Sequence, residues 1–456
     1  MIKKNYITIF VLLGVLSFNS CTSDEEISSE VPDVVRSENV YLEFNKWIYS
    51  QMNHDYLWRS DMPDSLTCDY ELSPTDFYKS ILSKKDRFSY CETNTSYKGA
   101  SESVNLGYEY QEYELNNGSD FAQVLIVCSQ ELKRKGLKRG DIIIPQSENN
   151  IIVRGRLENN QVIPSDTLEA ANPFEETNSV YLDSIYYHNS IKIGYICYLE
   201  FDDISNLTPV LKKFYDAQID ELILDLRYNP GGYVNTCKYL SNSIIDEKGY
   251  NEIFQQCTYN DVLTKELEHD TGMGKTISRF SIPDNGHSVL GSHMYGLNLK
   301  RIFVLTSKNS ASASEAAIIS MRPFMEVVLI GEKTFGKGVG SWTIKDDRYR
   351  YQLQPITMRY HNALMETTPD DGIPVDYYVP DGYSTSKKEL GEIDEPLLAK
   401  AISLIIDKGS SNNNSNLMRT SYIERSQDFI REKGVSSIHR INSNYCDDDL
   451  HLLREE

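Results

Sequence analysis

The sequence predicts a multidomain α/β protein, on three observations. From about residue 180, apolar runs of strand length alternate with helix-length segments. These are Ile191 to Phe201, a helical stretch from Leu207 to Tyr215, Leu222 to Leu226, Ile302 to Leu305, a helix from about 312 to 320, Val327 to Ile330 and a closing helix from Leu397 to Ile406. Such alternation indicates a largely parallel sheet with helices packed on it. Residues 100–165 instead carry short strand-like runs and glycine turns, among them Val124 to Cys128 and Gly136 to Ile144. Near the start, Val40, Phe44, Trp47, Ile48 and Met52 recur on one helix face, and Ser73-Pro74 offers an N-cap and a first-turn proline for a second helix. At roughly 100–200 residues per domain, a chain of 456 residues accommodates two or three.

The expected layout is a signal segment at 1–21, a polar tether at 22–37, a small helical domain at 38–99, a β domain at 100–170, an α/β domain at 171–408, and a linker with a polar tail at 409–456. The tail receives no function on sequence grounds.

A formal net charge of -21 opposes binding to phosphate backbones, so no nucleic-acid partner is expected. Lys3 and Lys4 precede a mostly apolar run from Ile7 to Phe18, then Asn19-Ser20-Cys21. A basic start, a short apolar stretch and a small residue before the cut make a signal peptide. That run is shorter than the roughly 20 residues a spanning helix needs. The placement of Cys21 resembles a bacterial lipoprotein box, with Asn19 a departure from its usual small residues. The resemblance implies lipidation at Cys21, a membrane anchor, and a location in the cell envelope at the outer membrane, on its periplasmic or surface face. Without Cys21, seven cysteines remain, so they cannot all pair internally. Cys68 and Cys91 are compatible with a disulfide, Cys128 and Cys197 read as buried thiols, and no Cys/His spacing supports a metal site.

Three segments carry chemistry. Asp225-Leu226-Arg227 ends a buried strand and opens into Tyr228-Asn229-Pro230-Gly231-Gly232, where glycines let backbone N–H groups approach a ligand. Thr306 to Glu315 places a run of small residues between a strand and a helix, and Ser312 stands at that helix N-terminus, where oriented N–H dipoles favour negative charge. Lys337 lies between Gly336 and Gly338 just past another strand. A lysine serves as general base only where desolvation or a neighbouring cation brings its pKa down toward neutrality. Taken singly, each segment also fits a tight turn, a capped helix or a surface lysine.

Together and in this order they resemble the C-terminal processing peptidases, or tail-specific proteases, of peptidase family S41. The shared marks are the DLR-x-N-x-GG turn, the SASASE segment and the TFGKG segment, over roughly residues 100–405. The 25-residue interval from Ser312 to Lys337 is also the family's usual one. The resemblance implies Ser312 as nucleophile and Lys337 as general base. It implies oxyanion donors at the N–H of Ala313 and of Gly231 or Gly232, and no cofactor or metal. Gly136 to Ile144 resembles the turn and strand of PDZ domains, which puts Leu106-Gly107-Tyr108 where a peptide carboxylate would bind, although the usual second helix is hard to find after residue 150. Thr368 to Asp376 resembles the family's closing segment.

Two positions depart from the pattern. Ser341 stands where many members carry the glutamine that orients the lysine, and Pro323 where aspartate is common. The implied function is a serine endopeptidase acting on peptides or unfolded proteins, selected by their C-termini, through an acyl-enzyme. A Ser-His-Asp triad competes poorly, because no GxSxG elbow is present; His361 is the best of its eight candidate histidines. The other alternative is a non-catalytic lipoprotein that binds peptides or other ligands on the same fold, which has no need of both Ser312 and Lys337.

Overall fold

The computed structural model describes residues 39–93, 107–144, 151–169, 178–269, 276–287, 293–346, 351–409 and 430–435. Cys21 and Leu106 lie outside them.

The main sheet has six strands in the order Tyr377–Tyr378, Glu326–Gly331, Arg301–Thr306, Glu221–Asp225, Ile191–Tyr198 and Val180–His188. Every neighbouring pair is parallel except the last, which is an antiparallel hairpin. The central strands read as unbroken apolar runs because both faces are covered. Helices Leu207–Ala217, Val234–Ile244 and Ala313–Met321 contribute to the core on one face, with Leu224, Val304 and Leu329. On the other face Ile223, Phe303 and Ile330 meet Leu397, Leu398 and Ala401 of helix Pro396–Gly409. Val304 is 0% exposed, so truncating it to alanine would forfeit burial worth about 1.5–3 kcal/mol.

That second face also receives the β unit. Its antiparallel sheet runs Ile430–Val435, Tyr108–Leu115, Asp120–Val127, Ile142–Ile144, Ile151–Glu158 and Gln161–Glu169. Strand Asp120–Val127 is almost wholly buried because it serves two cores. Val124 and Val127 pack within the β unit, while Leu125 and Ile126 pack against the main sheet. Where a second helix was sought, residues 151–169 form a hairpin instead. It turns at Asn159 and Asn160, both with positive φ (50° and 59°), a backbone shape Asn tolerates well. The C-terminal region, a polar tail to which the sequence assigns no function, supplies the edge strand Ile430–Val435.

The N-terminal helices are where the periodicity placed them, at Asn39–Asp55 and Pro74–Ser80, the second capped by Ser73, whose side chain accepts the Asp76 N–H. They do not stand apart. Phe44, Ile48, Met52 and Phe77 share a core with Val339, Ile344, Leu353 and Ile356, and strand Tyr90–Thr93 pairs with Tyr351–Gln354. Cys68 and Cys91 are both free thiols and are not joined to each other. Cys91 is buried in that apolar core and Cys68 borders it. No helix among the described residues is long and apolar enough to cross a membrane.

Candidate active site

The site forms where three loops leave the carboxyl ends of neighbouring parallel strands, the usual place for a site in an α/β sheet. The first loop follows Glu221–Asp225. Arg227 is fully buried, bonded to Asp225 and held by two parallel hydrogen bonds to Glu395 (2.6 and 2.9 Å). A buried bidentate pair of this kind fixes geometry. It aims the chain into the turn at Asn229, whose side chain donates to Tyr198 O (3.0 Å) and accepts the Gly231 N–H (2.8 Å).

The second loop is tied to the first by its serines. Ser307 Oγ donates to Arg227 O, Ser310 Oγ to Leu226 O (2.8 Å) and Ser314 Oγ to Asn229 O (2.9 Å). These hydroxyls account for most of the serine-rich segment. Ser312 differs: it is half-buried at the N-cap of helix Ala313–Met321, with φ 53° and ψ −115°. A residue with a side chain rarely takes that conformation, and such strain concentrates at functional positions. Gly231 lies directly against it, since a Cβ there would sit 2.8 Å from Ser312 Cβ and 2.9 Å from the Ala313 nitrogen.

The third loop follows Glu326–Gly331 and carries Lys337. The lysine is 7% exposed, and burial brings its pKa down to about 8, against the opposing pull of Glu315. Among the described residues its ammonium is paired with no carboxylate. Its Nζ lies 5.6 Å from the centre of the Phe88 ring, an apolar wall supplied by the N-terminal region. Arg87 donates to the carbonyls of Gly336 and Asp370 (2.7 Å each) and so clamps the loop from the same side. The Thr368–Asp376 segment braces it as well, with Thr334 N–H on Ile373 O (3.2 Å) and Ile373 N–H on Thr334 Oγ1 (2.7 Å). Gly336 adopts φ 91° and passes so close to Asp370 O that a Cβ would be 2.3 Å away.

Glu315 joins the second and third loops. Its Oε2 accepts the N–H groups of Ser312 (3.0 Å) and Lys337 (2.8 Å), and its Oε1 those of Gly336 (2.7 Å) and the Thr334 hydroxyl (2.5 Å). Burial raises its pKa in spite of these four donors. Ser312 and Lys337 consequently line one small, partly open pocket, together with Gln255, Ala316, Ile319, Ser320, Tyr360 and His361 among others. No hydrogen bond joins their side chains.

The remaining sequence candidates are placed as follows. The Ala313 N–H opens the helix and donates no hydrogen bond among the described residues. The Gly231 N–H is engaged by Asn229, whereas the Gly232 N–H has no acceptor there. Tyr108 begins the strand Tyr108–Leu115, Gly107 precedes it at φ 71°, and neither lines this pocket. Its carbonyl accepts from the N–H groups of Cys128 and Ser129 (2.8 Å each). Ser341 Oγ accepts from Gln354 Nε2 (3.0 Å). His361 is in the pocket, but its ring bonds Thr258 Oγ1 (3.0 Å) and Met365 O (3.3 Å), with no carboxylate partner among the described residues.

Two family models match the chain: peptidase family S41 over residues 192–379 and the peptidase S41 N-terminal domain over 43–90, together a little more than half of it. The chain belongs to peptidase family S41. Among curated S41-type relatives, a probable CtpA-like serine protease of Staphylococcus aureus (strain MSSA476) is 23% identical over 342 residues, 69% of this chain and 60% of that protein. One of Staphylococcus haemolyticus is 22% identical over 363 residues, 74% of this chain and 65% of its own. The chain thus spans about 60–65% of the length of these relatives. A crystal structure assigned to the S41 proteases of Bacteroides fragilis matches with a TM-score of 0.64 at 22% identity, covering 79% of this chain and 97% of that one. That similarity establishes a shared fold.

Three contributors to this candidate site escaped the sequence reading. Glu315 completes the cap of the helix that Ser312 opens, as its spacing suggests, but its bonds to the lysine loop are not visible in sequence, while Arg87 and Phe88 belong to a region that reads merely as helical. Only Glu315 left a trace, as the acidic end of the SASASE segment.

Proposed function

We propose that the chain is a serine endopeptidase in which Ser312 is the nucleophile and Lys337 the general base. The observation that carries this reading is the shared pocket: a strained serine at a helix N-terminus beside a lysine whose burial brings its pKa to about 8. Neutral Lys337 takes the proton from Ser312 Oγ as that oxygen attacks the carbonyl carbon of the peptide. The hydrogen bond between them forms with substrate in place, since catalytic contacts commonly tighten only then. The oxyanion accepts from the Ala313 N–H and from one of Gly231 and Gly232. With its acceptor-free N–H, Gly232 is the simpler donor, while Gly231 would first have to release Asn229. Collapse expels the amine, which takes the proton back from Lys337, and leaves an acyl group on Ser312. Water, deprotonated by the same lysine, then hydrolyses the ester.

The substrates proposed are peptides or unfolded proteins, selected by their C-termini at the loop Leu106-Gly107-Tyr108, where an extended chain would add as a strand to the neighbouring sheet edge. A lipid on Cys21 would hold the enzyme at the membrane of the cell envelope, on the outer-membrane side. The test is cleavage of casein by the parent and by Ser312→Ala and Lys337→Ala. Loss in both variants, with folding intact, supports the serine–lysine pair. Activity surviving in both removes it and brings His361 forward.

A further inference from the structure

The edge of the β unit is already occupied. Strand Ile430–Val435, from the C-terminal region, runs antiparallel along Tyr108–Leu115, with Ile430 opposite Leu115, Glu432 opposite Tyr113 and Val435 opposite Gln111. The strand travels toward Gly107, the direction in which a peptide ending at that loop would lie, and the described pairing stops three residues short of Tyr108. Ile430 packs on the cluster of Tyr113, Leu115 and Phe121. Two residues further on, opposite Tyr113, Glu432 makes a 2.6 Å ion pair with Lys308. Lys308 belongs to the loop that carries Ser312, four residues before it. Burial, and after it the Glu432 carboxylate, raises the pKa of Glu332 at the start of the lysine loop. One short strand therefore covers a peptide-receiving edge and reaches toward both loops of the candidate active site.

We infer that residues 430–435 are a resident occupant of the strand-addition edge, a segment of the chain's own sequence that a substrate peptide must displace before it reaches Ser312. The sequence suits a weak occupant. Ile430-Arg431-Glu432-Lys433-Gly434-Val435 has one anchoring apolar side chain at its start and a surface ion pair, which on its own is worth less than about 1 kcal/mol. Tethering compensates for weak pairing. A linked segment acts at an effective concentration on the order of 1 mM. A strand with an intrinsic Kd of about 100 µM would then hold the edge roughly ten to one over its open form. An incoming peptide would bind about tenfold more weakly than to a cleared edge. The inference rests on the reading of this edge as a peptide site, and it does not require proteolysis.

The test uses the full chain carrying Ser312→Ala, so that nothing is cleaved, with and without Ile430→Asp or the milder Glu432→Lys. The probe is a fluorescent synthetic peptide of residues 426–437, followed by polarisation, alongside hydrogen exchange of the 108–115 segment. The expected result is about tenfold tighter peptide binding to the Ile430→Asp chain, a smaller gain with Glu432→Lys, and faster exchange at 108–115 that added peptide reverses. Equal binding to all forms overturns the inference. So does binding to none with exchange unchanged. If the peptide behaves as expected while no form with an intact Ser312 cleaves casein, the protease reading fails and the occupied edge stands.

Discussion

The carboxylate of Glu315 accepts the backbone N–H of Lys337 at 2.8 Å, and the same oxygen accepts the N–H of Ser312 at 3.0 Å. One buried side chain thereby sets the register of a nucleophile loop and a base loop that lie more than twenty residues apart in sequence. The contact is with backbone, so it positions both residues without pairing the lysine ammonium, which stays free to lose its proton.

Replacing that carboxylate tests its positioning role. Glu315→Gln has a single acceptor oxygen, and its amide group would face N–H donors. At least one buried donor is orphaned, at about 1–3 kcal/mol. The expected outcome is a fall in kcat on a fluorogenic peptide of roughly 100-fold, with KM changed little and thermal unfolding lowered by several degrees. Glu315→Asp should recover part of kcat if charge and direction are what matter.

The wall beside Lys337 should set its pKa. Phe88→Ala admits water to the ammonium and lets its pKa rise from about 8 toward the ordinary lysine value. The neutral form is the base, so the pH–rate profile of the variant should shift to higher pH, with its activity at pH 7 reduced and partly recovered at pH 9. An unshifted profile would mean that the burial of Lys337 does not depend on this ring.

Stability should report the same burial with a defined sign. The folded pKa of Lys337 is about 8, and the unfolded chain holds the proton to about 10.4. Below pH 8 the buried ammonium costs the folded state its full penalty, on the order of 3 kcal/mol; the penalty falls as pH rises from 8 to about 10.4. Lys337→Met should therefore be inactive yet more stable than the parent at pH 6 in urea unfolding, with the difference closing by pH 10.

Gly231 has no room for a side chain. It adopts φ 115°, and a Cβ would approach Ser312 Cβ and the Ala313 nitrogen within 3 Å. Gly231→Ala should abolish cleavage by displacing the nucleophile, while circular dichroism stays close to that of the parent because the contact is confined to the loop.

What could be read from sequence was local. Ser312 and Lys337 sit in short contiguous segments whose composition is set by tight turns and a helix start. The central strands of the main sheet announce themselves because both faces are covered and their inner positions, residues 222–224, 302–305 and 327–330, are apolar. The rest depends on contacts between distant segments. Arg87 reaches Gly336 across 249 residues, and nothing near Arg87 marks it. Phe88 looks like any core aromatic until the lysine loop is folded over it. Ile430–Val435 has the composition of a polar tail and becomes a strand through the edge it meets. The hairpin at 151–169 stands where the usual second helix of the PDZ pattern is hard to find in the sequence, and Asn159-Asn160 marks its turn.

The pairing of Ser312 with Lys337 is tested most directly by labelling the nucleophile. A fluorophosphonate would be added to the full chain between pH 5 and 10, and the modified residue located by mass spectrometry. The account predicts a single adduct on Ser312, formed at a rate that rises with a midpoint near pH 8 and is lost in Lys337→Ala. An adduct elsewhere, or labelling of Ser312 that persists without Lys337 and titrates in the histidine range, would contradict it.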